Sequence, residues 1–190
     1  MRWTMEILEQ LEGAFDSTGQ VVAGIRPAQL SEPTPCKEWD VRTVLGHTTG
    51  VVTRFGWTAR RETPPDDART DDVADDFSAA YCAAVASTLA AWAAPDALEG
   101  TCRLPNGMEL PAPVAAGINA TDTLVHGWDL ARATGQVLIL DPALATAALE
   151  FCRAAITDDI RKGGAFGAVV PVPDDASPSD QLVGFLGRQP

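Results

Sequence analysis

Apolar residues recur at helical spacing along most of the chain. Ile7, Leu8, Leu11 and Phe15 fall on one stripe of a segment running from residue 3 to 24, the pattern of an amphipathic helix with one face on a core. Pro27 and the run Ser31-Glu32-Pro33-Thr34-Pro35 end that helix and give a stiff connector. Asp40 then supplies an N-cap, and a second helix is predicted from Val41 to about Arg61, stopped by Pro64-Pro65. A third, Ala-rich helix is expected over about 71–93, closed by Pro95. The period changes at Thr101, where two short runs, Thr101–Pro105 and Met108–Leu110, flank Asn106-Gly107, a strong hairpin signal. A fourth helix is predicted over about 112–134, with Gly135 as its C-terminal stop. Asp141 and Pro142 open a fifth that runs to about Ile160. Gly163-Gly164-Ala165-Phe166-Gly167 and the prolines beyond it read as an irregular tail with a short helix near 179–187.

The fold class is therefore all-α: an antiparallel bundle of about four main helices with a β-hairpin inserted before the fourth. The long connection between the second and fourth helices implies a crossover. No internal repeat or low-complexity linker divides the chain, so residues 1–190 are expected to form a single domain. A domain of this length buries a sizeable core without metals or disulfides, so a metal found here would serve function rather than folding.

Composition narrows the partners. The net charge of −12 argues against nucleic acid, whose binding rests on Lys and Arg neutralising phosphates. Much of the acid sits at Asp66-Asp67, Asp71-Asp72 and Asp75-Asp76, a solvated loop whose spacing lacks the ligand pattern of a calcium-binding EF-hand. Four cysteines, Cys36, Cys82, Cys102 and Cys152, are scattered without a CxxC pair, which points to free thiols and a cytoplasmic location. The N-terminal segment lacks the cationic and apolar regions of a signal peptide. The apolar run from Cys82 to Ala94 is too short to span a bilayer, so no membrane partner is expected. The 163–167 glycine run has neither the preceding strand nor the Lys-Ser/Thr of a phosphate loop.

The chain has two histidines, both in predicted helices. A lone helical histidine is more often a hydrogen-bonded core or surface residue than a ligand. In Asp122-Thr123-Leu124-Val125-His126, however, a carboxylate precedes an imidazole by four residues, which puts both side chains on one helix face. That is how a helix offers two ligands to a metal, although the pair alone is a weak signal. His47 becomes a third ligand if its helix packs against the fourth, as bundles do when they build metal sites. Two imidazoles and a carboxylate leave a coordination position for water or substrate, and suit zinc, iron, nickel or manganese. Around this trio, Asp129 is placed to orient His126 or to pair with Arg132 on the helix surface. Arg54, two turns beyond His47, is either an exposed cation or an anchor for a carboxylate or thiol cofactor. Trp39, Trp57 and Trp128 read as core anchors. Cys36 reads as buried beneath the Pro-rich connector, with a reactive thiol at a helix start as the other reading.

Two segments carry a specific resemblance: Pro33-Thr-Pro-Cys-Lys-Glu-Trp-Asp40-Val-Arg-Thr-Val-Leu-Gly-His47 and Leu124-Val-His126-Gly-Trp-Asp129-Leu-Ala. Together they resemble the metal-binding domain of the mycothiol-dependent maleylpyruvate isomerase family, within the DinB-like four-helix-bundle superfamily, and especially its single-domain members. The resemblance implies zinc held by His47, Asp122 and His126. The family's acidic ligand is Glu, so the shorter Asp122 is a departure that would draw the metal toward its helix or alter metal preference. The isomerase also carries an additional C-terminal domain, for which this chain reads as too short. The function implied is an enzyme that uses a metal ion and a low-molecular-weight thiol such as mycothiol for transfer, conjugation or isomerisation of an electrophilic substrate. A non-catalytic metal-binding or sensing module and a metal-dependent hydrolase, with Asp129 as its base, are the alternatives. Superfamily members often pair, which makes a homodimer the assembly implied. Acid should displace the metal, because imidazole ligates in its neutral form.

Overall fold

The structure is a computed structural model that describes residues 2–65, 72–104, 107–138, 140–162 and 166–190, with side chains from residue 7 onward. The acidic pair Asp66-Asp67, Asp71, the turn residue Asn106 and Gly163–Ala165 lie outside the described residues. Its elements are α1 (Arg2–Gly24), a 3-10 turn (Pro27–Gln29), α2 (Val41–Arg60), α3 (Phe77–Trp92), β1 (Thr101–Arg103), β2 (Glu109–Pro111), α4 (Ala112–Thr134), α5 (Pro142–Ala155), α6 (Asp158–Lys162) and α7 (Pro178–Phe185). The chain folds as two compact units, residues 1–138 and 139–190.

In the first unit α1 packs on α3 and α4, and α2 packs on the same two helices. The ring order is thus α1, α4, α2, α3, with α1 and α2 on one diagonal, so the α1–α2 and α3–α4 connections each cross the bundle. The hairpin lies within the second of these. Its register sets Cys102 opposite Leu110 and Arg103 opposite Glu109, whose side chains are 3.1 Å apart. It feeds straight into α4, whose first residue, Ala112, donates its N–H to Gly100 O at 3.0 Å.

Every residue of α4 from Thr123 to Ala131 is buried, which makes it the central helix rather than a half-exposed one. Against α1 the approach is close: a Cβ built on Gly127 would collide with the Thr18 side chain, and the Thr18 hydroxyl donates to Thr123 O at 3.0 Å. Against α3, Trp92 is 1% exposed and its indole N–H donates to Asn119 Oδ1 at 3.3 Å. Gly135, at φ +70°, ends α4 in a left-handed turn that few other residues adopt, and its N–H bonds Ala131 O.

Two helix boundaries differ from the sequence expectation. α3 begins at Phe77, not near residue 71, because Asp76 takes the cap and its carboxylate accepts from Ala79 N. The fifth helix stops at Ala155, where Ile156 turns extended, and Thr157, whose hydroxyl accepts from Ile160 N at 3.4 Å, precedes α6. In the second unit α5 packs on α7. Arg161 donates to Gly167 O and Phe185 O at 2.9 and 2.8 Å, tying the irregular segment to α7.

Candidate metal centre

α2 and α4 meet at the predicted trio. One carboxylate oxygen of Asp122 lies 3.8 Å from His47 Nε2, and the other lies 3.7 Å from His126 Nε2. The carboxylate therefore sits between two imidazoles, and one ligand atom from each of the three residues lies within 4.8 Å of the others. Exposure grades across the set: Asp122 and His47 keep 29% and 23% of their side-chain surface, whereas His126 keeps 10%. The centre is thus partly exposed at His47 and Asp122 and closed around His126.

Asp129, one turn beyond His126 on α4, has no exposed surface, and its carboxylate lies 3.0 Å from His126 Nδ1. Accepting at an ionised Asp129 would hold the proton of a neutral His126 ring on Nδ1, the tautomer that leaves Nε2, the nitrogen facing Asp122, with its lone pair. Arg132, the surface partner weighed for Asp129, lies instead over the Trp128 ring at 5.5 Å. Arg54 is half-buried on α2, seven residues past His47 and hence about 10 Å further along the helix axis.

The connector before α2 supplies two groups that sequence reasoning placed elsewhere. An isolated bridge pairs Pro33 with Asp40, and Thr34 Oγ1 donates to Cys36 O and Trp39 O, so the loop closes on itself. Glu38 sits in the left-handed region at φ +67° to make the turn. This delivers Trp39 against both imidazoles: its ring centroid is 4.8 Å from that of His47 and 5.9 Å from that of His126. Trp39 is therefore a half-buried wall of the centre, not a core anchor. Trp57 is also half-buried, with the Arg60 guanidinium 4.6 Å above its ring, while Trp128 is buried. Cys36 is half-buried, and its sulfur lies with ligand atoms of His126 and Asp129, all within 4.8 Å of one another. The signal available in sequence was the i, i+3 spacing of Cys36 and Trp39 immediately before a capped helix, which implies a turn that presents both together. Zinc added to metal-free protein is expected to change the indole fluorescence, and Trp39→Phe to remove most of that change. An undiminished response in the variant would place Trp39 away from the bound ion.

The loop is pinned to α2 by Asp40, whose carboxylate accepts from Thr43 N at 2.8 Å and Thr43 Oγ1 at 2.7 Å. These donors hold the Asp40 carboxyl below its ordinary value. Its contribution is therefore full above the ordinary aspartate range and fades as pH falls through the lowered value. Asp40→Ala is expected to cost about 1 kcal/mol in chemical denaturation at neutral pH, and Asp40→Asn a few tenths at most, because asparagine caps as well. Equal losses in the two variants would show that the side chain does not cap α2.

The donor set fits a divalent ion. Zinc bonds nitrogen and oxygen at roughly 2.0–2.2 Å, which puts the ligand atoms of a tetrahedral site about 3.5 Å apart. The two imidazoles approach different oxygens of the Asp122 carboxylate, at 3.8 and 3.7 Å, and one ligand atom from each of the three residues lies within 4.8 Å of the others, so the groups would draw in around a bound ion.

The mycothiol maleylpyruvate isomerase N-terminal domain family matches residues 11–131, which span all of these groups. Two uncharacterized proteins of Mycobacterium tuberculosis, from strains CDC 1551 / Oshkosh and ATCC 25618 / H37Rv, are each 39% identical over 97% of this chain and 98% of their own length. Crystal structures of the mycothiol-dependent maleylpyruvate isomerase and of a histidine-to-alanine mutant of it share the fold. Each superposes with a TM-score of 0.62 over 92% of this chain and 78% of theirs, at 17% and 16% identity. With the bundle and both sequence motifs covered by the family match, the chain belongs to the mycothiol maleylpyruvate isomerase N-terminal domain family.

Proposed function

We propose that this protein binds one divalent metal ion, zinc foremost, through His47, Asp122 and His126, and acts with a low-molecular-weight thiol such as mycothiol on an electrophilic small molecule. The observation that carries the reading is the mutual reach of two imidazoles and a carboxylate at the partly open end of the centre. The relatives whose fold it shares are named for mycothiol dependence and maleylpyruvate isomerisation, which favours thiol addition to an electrophile with transfer, conjugation or cis–trans isomerisation as the outcome. A bound zinc ion would keep a coordinating thiol deprotonated at neutral pH. The chain's own residues supply the rest. Asp129 fixes the His126 ring and its tautomer, Asp122 carries the one negative charge of the trio, and Trp39 shields the two imidazoles from water. Asp129 is fully buried and engaged with His126, which leaves it poorly placed as the base of a hydrolase. Among the described residues no helix is long and apolar enough to cross a membrane. We place the protein in the cytoplasm on its four free thiols.

The test has two stages. Elemental analysis of purified protein should give about one metal ion per chain, as three protein ligands require. Calorimetric titration of the zinc-loaded protein with mycothiol should then show saturable binding. Protein that neither retains nor takes up metal sinks the reading, and zinc-loaded protein indifferent to millimolar thiol sinks its thiol half.

A further inference from the structure

α4 carries two buried polar side chains that the metal centre does not use. Asn119 and Thr123 are both 0% exposed and lie one helical turn apart. Asn119 Oδ1 accepts from the Trp92 indole of α3, the helix diagonally opposite, which places the pair in the bundle interior. The Thr123 carbonyl accepts from the Thr18 hydroxyl of α1 at 3.0 Å. Asn119 Nδ2 and Thr123 Oγ1, however, have no hydrogen-bond partner among the described residues. The other buried threonines behave differently: Thr18, Thr48, Thr58, Thr88 and Thr134 each donate to a backbone carbonyl. Thr48 and Thr134 use the carbonyl four residues back, an acceptor within reach of any helical threonine. Thr123 does not take that carbonyl, which belongs to Asn119, so its hydroxyl is directed away from the backbone of its own helix.

We propose that Asn119 and Thr123 bind a single buried water molecule in the bundle interior. Leaving either group dry would favour unfolding by about five- to 150-fold, a penalty that native interiors rarely carry. The two groups also fix the chemistry of what they bind. The amide nitrogen presents N–H bonds, which exclude a cation. Both partners are neutral, which would leave the charge of an anion uncompensated in a site closed to bulk solvent. The small neutral molecule that accepts from Nδ2 and shares a hydrogen bond with a hydroxyl is water. Side chains at i and i+4 stand about 5–6 Å apart, a span that one water bridges with two ordinary hydrogen bonds. The result is a polar line that runs from Trp92 through Asn119 and the water to Thr123, next in sequence to Asp122. The water site stands whether or not a metal is bound, because none of its groups is a proposed ligand.

The test is a crystal structure of the full chain at a resolution that shows ordered waters, joined to urea unfolding of Thr123→Val, Asn119→Leu and the double variant. One water within about 2.7–3.2 Å of both Asn119 Nδ2 and Thr123 Oγ1 is expected. Absence of density between them, a direct Asn119–Thr123 hydrogen bond, or a Thr123 hydroxyl seated on the Asn119 carbonyl would each overturn the proposal. Thr123→Val keeps the shape of the side chain and removes the hydroxyl. It should raise the unfolding equilibrium constant about five- to thirtyfold, because the water loses one of its two anchors. A hydroxyl without a water would give the opposite result: valine would leave stability unchanged or raise it. The double variant should lose less than the product of the two single losses, since each substitution breaks the same bridge. Losses that multiply would show two independent sites and overturn the shared water. If Asn119→Leu fails to fold because Trp92 loses its acceptor, the crystal structure and Thr123→Val decide.

Discussion

Replacing His126 by alanine is expected to weaken zinc binding by about two to three orders of magnitude while leaving a folded bundle. Structural zinc sites in small proteins bind with about 10–16 kcal/mol over four ligands, so one ligand carries roughly 2.5–4 kcal/mol, a loss of about 70- to 900-fold in affinity. The substitution also strips the buried Asp129 carboxylate of its 3.0 Å partner, which should cost the metal-free protein about 1–3 kcal/mol. The two effects separate in thermal unfolding with and without zinc. Wild-type protein in zinc at a thousand times Kd gains about 4 kcal/mol from ligand linkage. At this chain length that corresponds to a Tm rise of roughly 8–16 °C. His126→Ala should unfold somewhat earlier than wild type without metal and show only a small rise with it, of about 1–5 °C. An equal zinc-induced rise in the variant would remove His126 from the ligand set, and with it the argument that α4 provides two of the three ligands.

Trp92→Ala should be the most destabilising single change in the first unit. The side chain is 1% exposed and joins α3 to α4, and truncating a buried aromatic of this size costs about 3–5 kcal/mol through lost burial and the cavity left behind. Its indole also satisfies Asn119 Oδ1 in a site closed to bulk solvent. Trp92→Phe tests that part separately. It keeps most of the apolar volume, removes the donor, and is expected to cost about 1–3 kcal/mol. Urea unfolding of metal-free protein reads both. A loss below about 1 kcal/mol in Trp92→Ala would mean that α3 collapses onto α4 without the indole.

Much of the bundle was legible because its punctuation is local. Asp40 caps α2 and Gly135 stops α4, and each acts within one turn of the residue that names it. The Asp122–His126 pairing was legible for the same reason, since helix geometry alone sets i and i+4 on one face. The start of α3 was not, because acidic residues at 71, 72, 75 and 76 all offer caps and sequence does not say which carboxylate finds a free N–H. The break after Ala155 was missed because Ile156 and Thr157 fit the helical period while their β-branches make an extended turn easy. The placement of Cys36, Trp39 and Asn119 depends on packing between distant segments. His47 and the 33–40 loop reach α4 only through tertiary packing, which no periodicity encodes, and for His47 the resemblance to a known family supplied what spacing did not.

The seam between α1 and α4 sets a condition for moving this centre elsewhere. α1 contributes none of the proposed ligands, yet Thr18 lies where any side chain at Gly127 would go, next to His126 in sequence. How deep the ligand helix sits is thus decided from the side without chemistry. A designer who grafts the three ligands onto another four-helix scaffold would need to carry this threonine–glycine contact along. Otherwise the new helix would ride outward, and its imidazole would stop short of the carboxylate and of its partner histidine.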